Sequence, residues 1–349
     1  MSIEIKTPEQ LRKMRAAGLV VAEGLRRMQE ATAVGVTTAE IDVVGRDVLA
    51  EHGATSNFLG YGSEYGTPFP GVSCISVNDE LVHGIPGNRV IRDGDLVSID
   101  FGAVLDGWHG DAARSFVVGE ARAEDLGMIE ATRQAMWAGI AAVRDGGRVG
   151  DVSRAIEWCV KHQPRRYGSL RDYTGHGIGS RMHMEPDVPN QFRFRPNPRL
   201  GVGMAIAVEP MLTLGFHQTV VAADDWTVRS RDGERGAHWE NTVAITEHGL
   251  WVLTEPDGGE AELTARGVAF GPLNESTIDR MNKLPPSSRY LQRAAEPVGE
   301  TEREALSKRV SDAFADGRME SDSYRQSMDV IYGAKTLGDL VPVVEQLPA

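Results

Sequence analysis

The stretch VSIDFGAVLDGWHGDAARSF, residues 97–116, decides how this chain is read. Asp100 follows the apolar run Leu96 to Ile99, and Asp111 comes eleven residues later. Leu96 to Phe101 and Ser115 to Val118 have the short apolar character of strands, broken by turn-forming Gly and Asp. An unpaired buried charge is costly, so a carboxylate beside a near-continuous apolar strand needs a compensating cation. The apolar stretches contain no arginine to supply it. A metal ion is the better answer, and two strands paired as a hairpin can aim Asp100 and Asp111 at one point.

Four further segments place ionisable residues in similar surroundings. VHGIPG (82–87) carries His83, and TGHGIGSRMHMEP (174–186) carries His176 and His183. AIAVEPM (205–211) ends its apolar run on Glu209, and in AHWENTVAIT (237–246) Glu240 precedes one. Glu209 and Glu240 can converge as Asp100 and Asp111 do. With His176 the set is four carboxylates and one neutral imidazole, and four negative charges balance two divalent ions. Oxygen-rich ligation with one nitrogen suits Mn²⁺, Fe²⁺ or Co²⁺ better than a thiolate-bound zinc. Two ions roughly 3.5 to 4 Å apart can share a nucleophile and hold both oxygens of a tetrahedral intermediate. His109, His52, His162, His217, His238 and His248 read as structural or surface histidines.

The elements around these segments recur. Thr7 and Gln10 form a capping box with Pro8 in the first turn, and Leu11, Met14, Val21, Leu25 and Met28 share one helical face. A second helix follows Thr37, with Glu40 as its capping partner, and strands come next. Helices at about 124–143 and 151–162 repeat the order, again followed by strands up to Leu253. Two helix–helix–sheet halves predict an α+β domain with internal pseudo-twofold symmetry over residues 1–258. Residues 259–293 read as a linker, with Gly-Pro, Pro285-Pro286 and Ser287-Ser288 and no sustained period. Residues 294–349 read as a small three-helix domain. Its stripes are Leu306, Val310 and Phe314, then Tyr324, Met328 and Ile331, then Leu337, Leu340, Val341 and Val344, with a capping box at Thr301 and Glu304.

A length of 349 residues suits one large domain plus a small one. The net charge of −13 repels phosphate backbones, which argues against a direct nucleic-acid partner. Cys74 and Cys159 are the only cysteines and fit no metal or redox spacing, as in a reducing compartment. No apolar run reaches the roughly 18–20 residues of a membrane span, and no signal peptide is visible. The expected location is the cytoplasm.

Taken in order and spacing, VHGIPG, IDFG…HGDAARSF, GHGIG…HMEP, AVEPM and ENTVAIT resemble the type I methionine aminopeptidases of the pita-bread fold, over about residues 3–254. The resemblance implies two divalent metal ions held by Asp100, Asp111, His176, Glu209 and Glu240, with Asp111 and Glu240 bridging. It implies that His83 and His183 contact the scissile peptide and the oxyanion, and that Glu209 also moves the nucleophile's proton. In LGYGSEYGTPFPGVSC (59–74), Tyr61, Phe69 and Cys74 match methionine-pocket positions, joined by Trp226 from a later strand. The loop carries extra residues around 62–67, and Met182 stands where the family commonly has an aromatic. The implied activity is removal of the initiator methionine when the second residue is small, with nascent polypeptide N-termini as substrates at the ribosome. A proline-specific peptidase of the same fold and a non-catalytic adaptor on that fold are the alternatives. SKRVSDAFADGRMESDSYRQSMDVIYGAKTLGDL (307–340) is similar to a short bacterial domain of unknown function, a binding unit for an unidentified protein.

Overall fold

Thr7 starts the first helix as its sequence predicts. In the computed structural model, which describes residues 3–64, 66–194, 196–273, 294 and 296–347, the Thr7 hydroxyl accepts from the Gln10 amide while the Gln10 side chain accepts from the Thr7 amide. Two of the helix's unsatisfied donors are thereby closed. Helix α1 (Pro8–Ala31) buries Leu11, Met14, Val21, Leu25 and Met28, and α2 (Thr38–Glu51) opens on the matching Thr37–Glu40 box. Gly18 sits where a Cβ would lie 2.1 Å from the Leu253 carbonyl oxygen, so only glycine lets α1 approach the sheet this closely.

The first half continues with β1 (Thr55–Ser56), β2 (Ser73–Val77), β3 (Glu80–Val82), β4 (Leu96–Leu105) and β5 (Trp108–Val117). The second half repeats the pattern with α3 (Ala123–Ala141) and α4 (Val149–Lys161). Its strands are β6 (Gly168–Ser169), β7 (Gly175–Gly177), β8 (Met184–Val188), β9 (Ala205–Val208), β10 (Met211–Thr213), β11 (Thr219–Val221), β12 (Val228–Ser230), β13 (Gly236–His238), β14 (Glu240–Thr246) and β15 (Gly249–Val252). The main sheet runs β1-β4-β5-β14-β9-β7-β8, with β2 also on β4 and β15 also on β14, and every pair is antiparallel. The two halves meet where β5 pairs with β14. One apolar cluster joins α1, α2, β2, β4 and β5, and another joins α3 and α4 to β9 and β14.

Register decides what the free face of this sheet displays, because successive side chains in a strand point to opposite sides. Val97, Ile99 and Phe101 of β4 go to the helix-side core. Asp100, pointing the other way, is paired with Ala113 of β5 and Cys74 of β2, while Asp111 is paired with Gly102. Glu240 is opposite Ala113 from the other side. Opposed residues share a face, so Cys74, Asp100, Asp111 and Glu240 all project to the side away from α1 and α2. The register Thr242↔Ala207 and Gly177↔Ile206 brings Glu209 and His176 to that same side.

β5 is longer than its apolar pattern predicts, because His109, Asp111 and Arg114 ride inside a strand paired with β4 over its full length. The boundary near 259 also differs. Residues 260–265 form α5 (Glu260–Ala265), Leu263 is fully buried in the second-half core, and Phe270 bridges to Leu250. The first compact unit therefore runs to Leu273, and the rest of the linker, 274–293, lies outside the described residues.

The second unit has its own core. Helix α6 (Glu300–Ala315) packs Leu306 and Val310 against Ile331 of α7 (Ser321–Gly333) and against Leu337 and Leu340. α6 starts two residues earlier than predicted, with Gly299 as its N-cap, so Thr301 is already inside the helix; its side chain lies outside what is described. The third helix is a 3₁₀ turn (Leu337–Leu340) leading into α8 (Val341–Gln346). That tighter turn shifts the helical phase, so Val343 is buried and Val341 only half-buried. Phe314, predicted to be core, is 40% exposed and stacks on Tyr324 at 4.6 Å.

Candidate metal centre and substrate pocket

All five predicted ligand residues and both predicted catalytic histidines line one cavity of about 260 Å³ on the free face of the sheet. Ligand atoms of Asp111, His176 and Glu240 lie within 4.8 Å of one another, and so do those of Glu209, His238 and Glu240. Asp100 lines the same cavity without belonging to either trio. The His176 Nδ1 faces its neighbour's carbonyl, Gly177 O, at 3.0 Å, which leaves Nε2 turned inward, 3.5 Å from Glu209 Oε1.

The electrostatics identify what is missing from a purely protein account. Burial pushes Asp100, Glu209 and Glu240 well above the usual carboxylate range, and the Asp111 charge adds to each shift. Asp111 is pushed up to about 7, again chiefly by burial. Asp100 Oδ1, Asp111 Oδ1 and Glu240 Oε1 are buried with no hydrogen-bond partner. Buried polar atoms are normally satisfied, so oxygens left this way call for a cation. The nearby guanidinium does not provide it. Arg114 donates to the Glu240 carbonyl and pairs with Glu255 at 2.7 Å, on the other side of the β5–β14 seam.

His83 lies on the connection after β3 with φ of 58°, the left-handed region that a non-glycine residue seldom occupies. Gly84 follows because a Cβ there would sit 2.3 Å from the Ile75 carbonyl oxygen. Burial lowers the His83 pKa to about 4, with His183 adding to the shift, and lowers that of His176 to about 3. His183, also lowered by burial, stands on the β7–β8 connection with its ring 4.3 Å from that of His176. The Tyr61 hydroxyl lies 2.7 Å from its Nδ1.

Phe58, Phe69, Cys74 and Met182 form a buried apolar cluster beside the carboxylates, with Trp226 packed against it. Trp226 comes from the turn before β12 rather than from a strand; its indole N–H donates to Thr67 O and its ring meets Phe69 edge to face at 5.4 Å. That hydrogen bond ties Thr67 to the cavity-lining Trp226. Burial raises the Cys74 thiol well above its ordinary range, with Asp100 adding to it, so it stays protonated and acts as an apolar surface.

Phe58 and His238 are among the cavity residues that sequence reasoning did not single out, with Val82, Asp172, Tyr173, Thr174 and Met211. Phe58 gave no signal beyond its neighbourhood to Tyr61. His238, read as surface or structural, is 2% exposed and points into the centre. Burial is the main cause of its pKa falling to about 3. The signal available was its spacing of two from Glu240, the period at which neighbouring strand residues share a face.

The pattern of metallopeptidase family M24 matches residues 12–247. The chain belongs to family M24. It is 48% identical to "Methionine aminopeptidase 1" of Mycobacterium tuberculosis over 250 residues, 70% of this chain and 92% of that protein. It is 41% identical to a methionine aminopeptidase of Clostridium acetobutylicum over 253 residues, 72% of this chain and 98% of that one. The crystal structure of a methionine aminopeptidase from Thermotoga maritima aligns with a TM-score of 0.69 at 36% identity, covering 73% of this chain and all of that one. The M24 unit therefore has the pita-bread fold, as expected from its motifs. M24 enzymes of this kind use divalent metals, and the buried carboxylate–imidazole cluster is able to hold them. Residues 298–348 match a DUF1707 SHOCT-like domain.

Proposed function

We propose that this chain removes the initiator methionine from newly made proteins, with divalent metal ions held by Asp100, Asp111, His176, Glu209 and Glu240. The observation that carries this reading is one cavity in which partnerless buried carboxylate oxygens adjoin an apolar wall. A thioether is well matched to aromatic edges and to the sulfur atoms of Cys74 and Met182. With a methionine side chain seated there, the following peptide bond falls beside the carboxylates.

When bound, the ions supply a nucleophile at neutral pH and polarise the scissile carbonyl. The side chains do the rest. Asp111 and Glu240, reaching in from the two strands of the seam, would be the carboxylates that hold both ions. His83 and His183, kept neutral by burial, offer uncharged N–H donors to the scissile peptide and the developing oxyanion. Glu209, whose affinity for a proton is raised by burial, takes a proton from the nucleophile and delivers it to the leaving amine. Tyr61, Phe69, Cys74 and Trp226 hold the methionine side chain.

The substrates are nascent N-termini, met in the cytoplasm where chains leave the ribosome. Among the described residues no helix is long and apolar enough to cross a membrane. The small second unit, whose sequence motifs carry no catalytic group, serves to bind a protein partner.

The test is release of free methionine by metal-reconstituted protein from Met-Gly-Met, Met-Pro-Met and Met-Leu-Met peptides compared side by side. Met-Gly-Met should be cleaved fastest and Met-Leu-Met hardly at all, because the chain must bend past the metals at the second residue. Cleavage behind other N-terminal residues at equal rates, or only of Xaa-Pro bonds, would overturn the assignment.

A further inference from the structure

The two trios share Glu240, and each contains one imidazole. Glu209 stands between these imidazoles, with Oε1 3.5 Å from His176 Nε2 and Oε2 3.4 Å from His238 Nε2. We propose that His238 is a sixth protein ligand, adding a second imidazole donor beside Glu209 and Glu240 to the set Asp100, Asp111, His176, Glu209 and Glu240. This rests on the metal-dependent reading above and adds to it a second nitrogen donor.

Three observations support the assignment. The His238 side chain is 3% exposed and its Nε2 has no hydrogen-bond partner, although two carboxylate oxygens lie 3.4 and 3.9 Å away. A buried nitrogen left without a partner is costly. Donor atoms bound to one ion at about 2.1 Å stand roughly 3.0 to 3.4 Å from each other in octahedral or tetrahedral arrangements, which the 3.4 Å to Glu209 Oε2 matches and the 3.9 Å to Glu240 Oε2 exceeds. A hydrogen bond would instead draw nitrogen and carboxylate together to about 2.8 Å.

The backbone is anchored to match. The Ser115 hydroxyl accepts from the His238 amide and donates to the His238 carbonyl, both at 2.8 Å. Ser98 in turn lies 2.7 Å from the Ser115 hydroxyl. Ser115 belongs to β5, the strand that carries Asp111, so the same strand positions both Asp111 and His238. Met211 and His238 are register partners across β10 and β13, and both line the cavity.

The alternative role for His238 is that of a positioning residue, donating a hydrogen bond to Glu209. Full-length metal-free protein should be titrated calorimetrically with Mn²⁺ as wild type, His238→Gln and His238→Ala. The proposal expects one of two sites to weaken by about tenfold or more in both variants, with the other changed by less than about twofold. Glutamine keeps a donor for Glu209 but is a poor replacement for an imidazole ligand. Wild-type affinity at both sites in His238→Gln would therefore overturn the proposal in favour of positioning. Paramagnetic NMR of Co²⁺-loaded, ¹⁵N-histidine-labelled wild type provides a readout that needs no variant. Two directly bonded imidazoles are expected, and one would overturn the proposal even if both variants failed to fold. Wild type that binds two ions through one imidazole leaves the metal-dependent function standing, whereas wild type that binds none refutes both.

Discussion

The Tyr61 hydroxyl lies 2.7 Å from Nδ1 of His183, and the two rings meet edge to face at 5.3 Å. The loop that walls the apolar pocket therefore also orients an imbedded imidazole at the carboxylate cluster. Tyr61→Phe keeps the wall and removes the hydrogen bond. Turnover of a Met-Ala peptide should fall by roughly 5- to 10-fold with little change in KM, the size of one lost hydrogen bond of about 1 kcal/mol. An unchanged kcat would show that the Tyr61 contact does not set the ring's orientation.

Chelation should abolish activity, and Mn²⁺, Fe²⁺ or Co²⁺ should restore it. Asp111→Asn should not recover under any of these ions, because one bridging negative charge has gone and one ion lacks its counter-charge. An Asp111→Asn protein with normal turnover would refute a two-ion centre bridged at this position.

His83→Ala and His183→Ala should each retain bound metal and lose turnover by about 10²-fold or more, as expected for a positioned proton-transfer or oxyanion group. Elemental analysis of the purified variants separates this role from ligation. Metal lost together with activity would move either residue into the ligand set.

The metal-free protein should lose stability as the pH rises from 6.5 to 8.5. Asp111 has a folded-state pKa of about 7, far above its unfolded value near 4. In this window the unfolded carboxylate is already ionised, while the folded one must give up its proton in a buried site, so rising pH favours unfolding. His83, His109, His176 and His238, with folded pKa values lowered to about 3 or 4, are neutral when folded but partly protonated when unfolded near pH 6.5. They therefore oppose this slope at the low end of the window, while the raised carboxyls of Asp100, Glu209 and Glu240 add to it. Thermal melts should therefore show a lower Tm at pH 8.5 without metal and little or no such fall with saturating Mn²⁺. A metal-free Tm that rises over this range would contradict the buried, protonated carboxylates.

A chain ending at Leu273 should fold and cleave short peptides, because every site residue and the whole first-unit core precede that point. A chain ending at Gly259 loses α5 and the burial of Leu263, which stabilises the fold by about 2 kcal/mol. Its melting temperature should drop by several degrees relative to the Leu273 chain. Equal melting temperatures would place residues 260–273 outside the cooperative core.

Much of the fold was legible because local chemistry is written locally. The boxes at Thr7–Gln10 and Thr37–Glu40 formed where the sequence puts a hydroxyl three residues before a longer acceptor. Asp100 and Glu209 were recognisable as unusual because each adjoins a near-continuous apolar strand, and their chemical types alone pointed to cations. Where reading by pattern failed, the deciding partner was remote. β5 extends through polar residues because β4 supplies hydrogen bonds along its whole length. The segment after 258 looked like a linker until Leu263 and Phe270 met the second-half core. Trp226 reaches the pocket from a turn whose position depends on β11 and β12.

The sequence by itself determined which residues could serve a metal centre, since residue type and the apolar context of each carboxylate are properties of short segments. It also determined the starts of the first two helices and the two-half order of elements. Only the tertiary structure decided which of those groups converge. The β5–β14 register puts Asp111 and Glu240 on one face although 129 residues separate them, and a shift of one residue would turn either to the opposite side. The β10–β13 register sets His238 opposite Met211 at the cavity, and its spacing of two from Glu240 was the one trace of this in its own segment. A side chain's chemistry is fixed by its atoms, but its partners are set by pairings between distant strands.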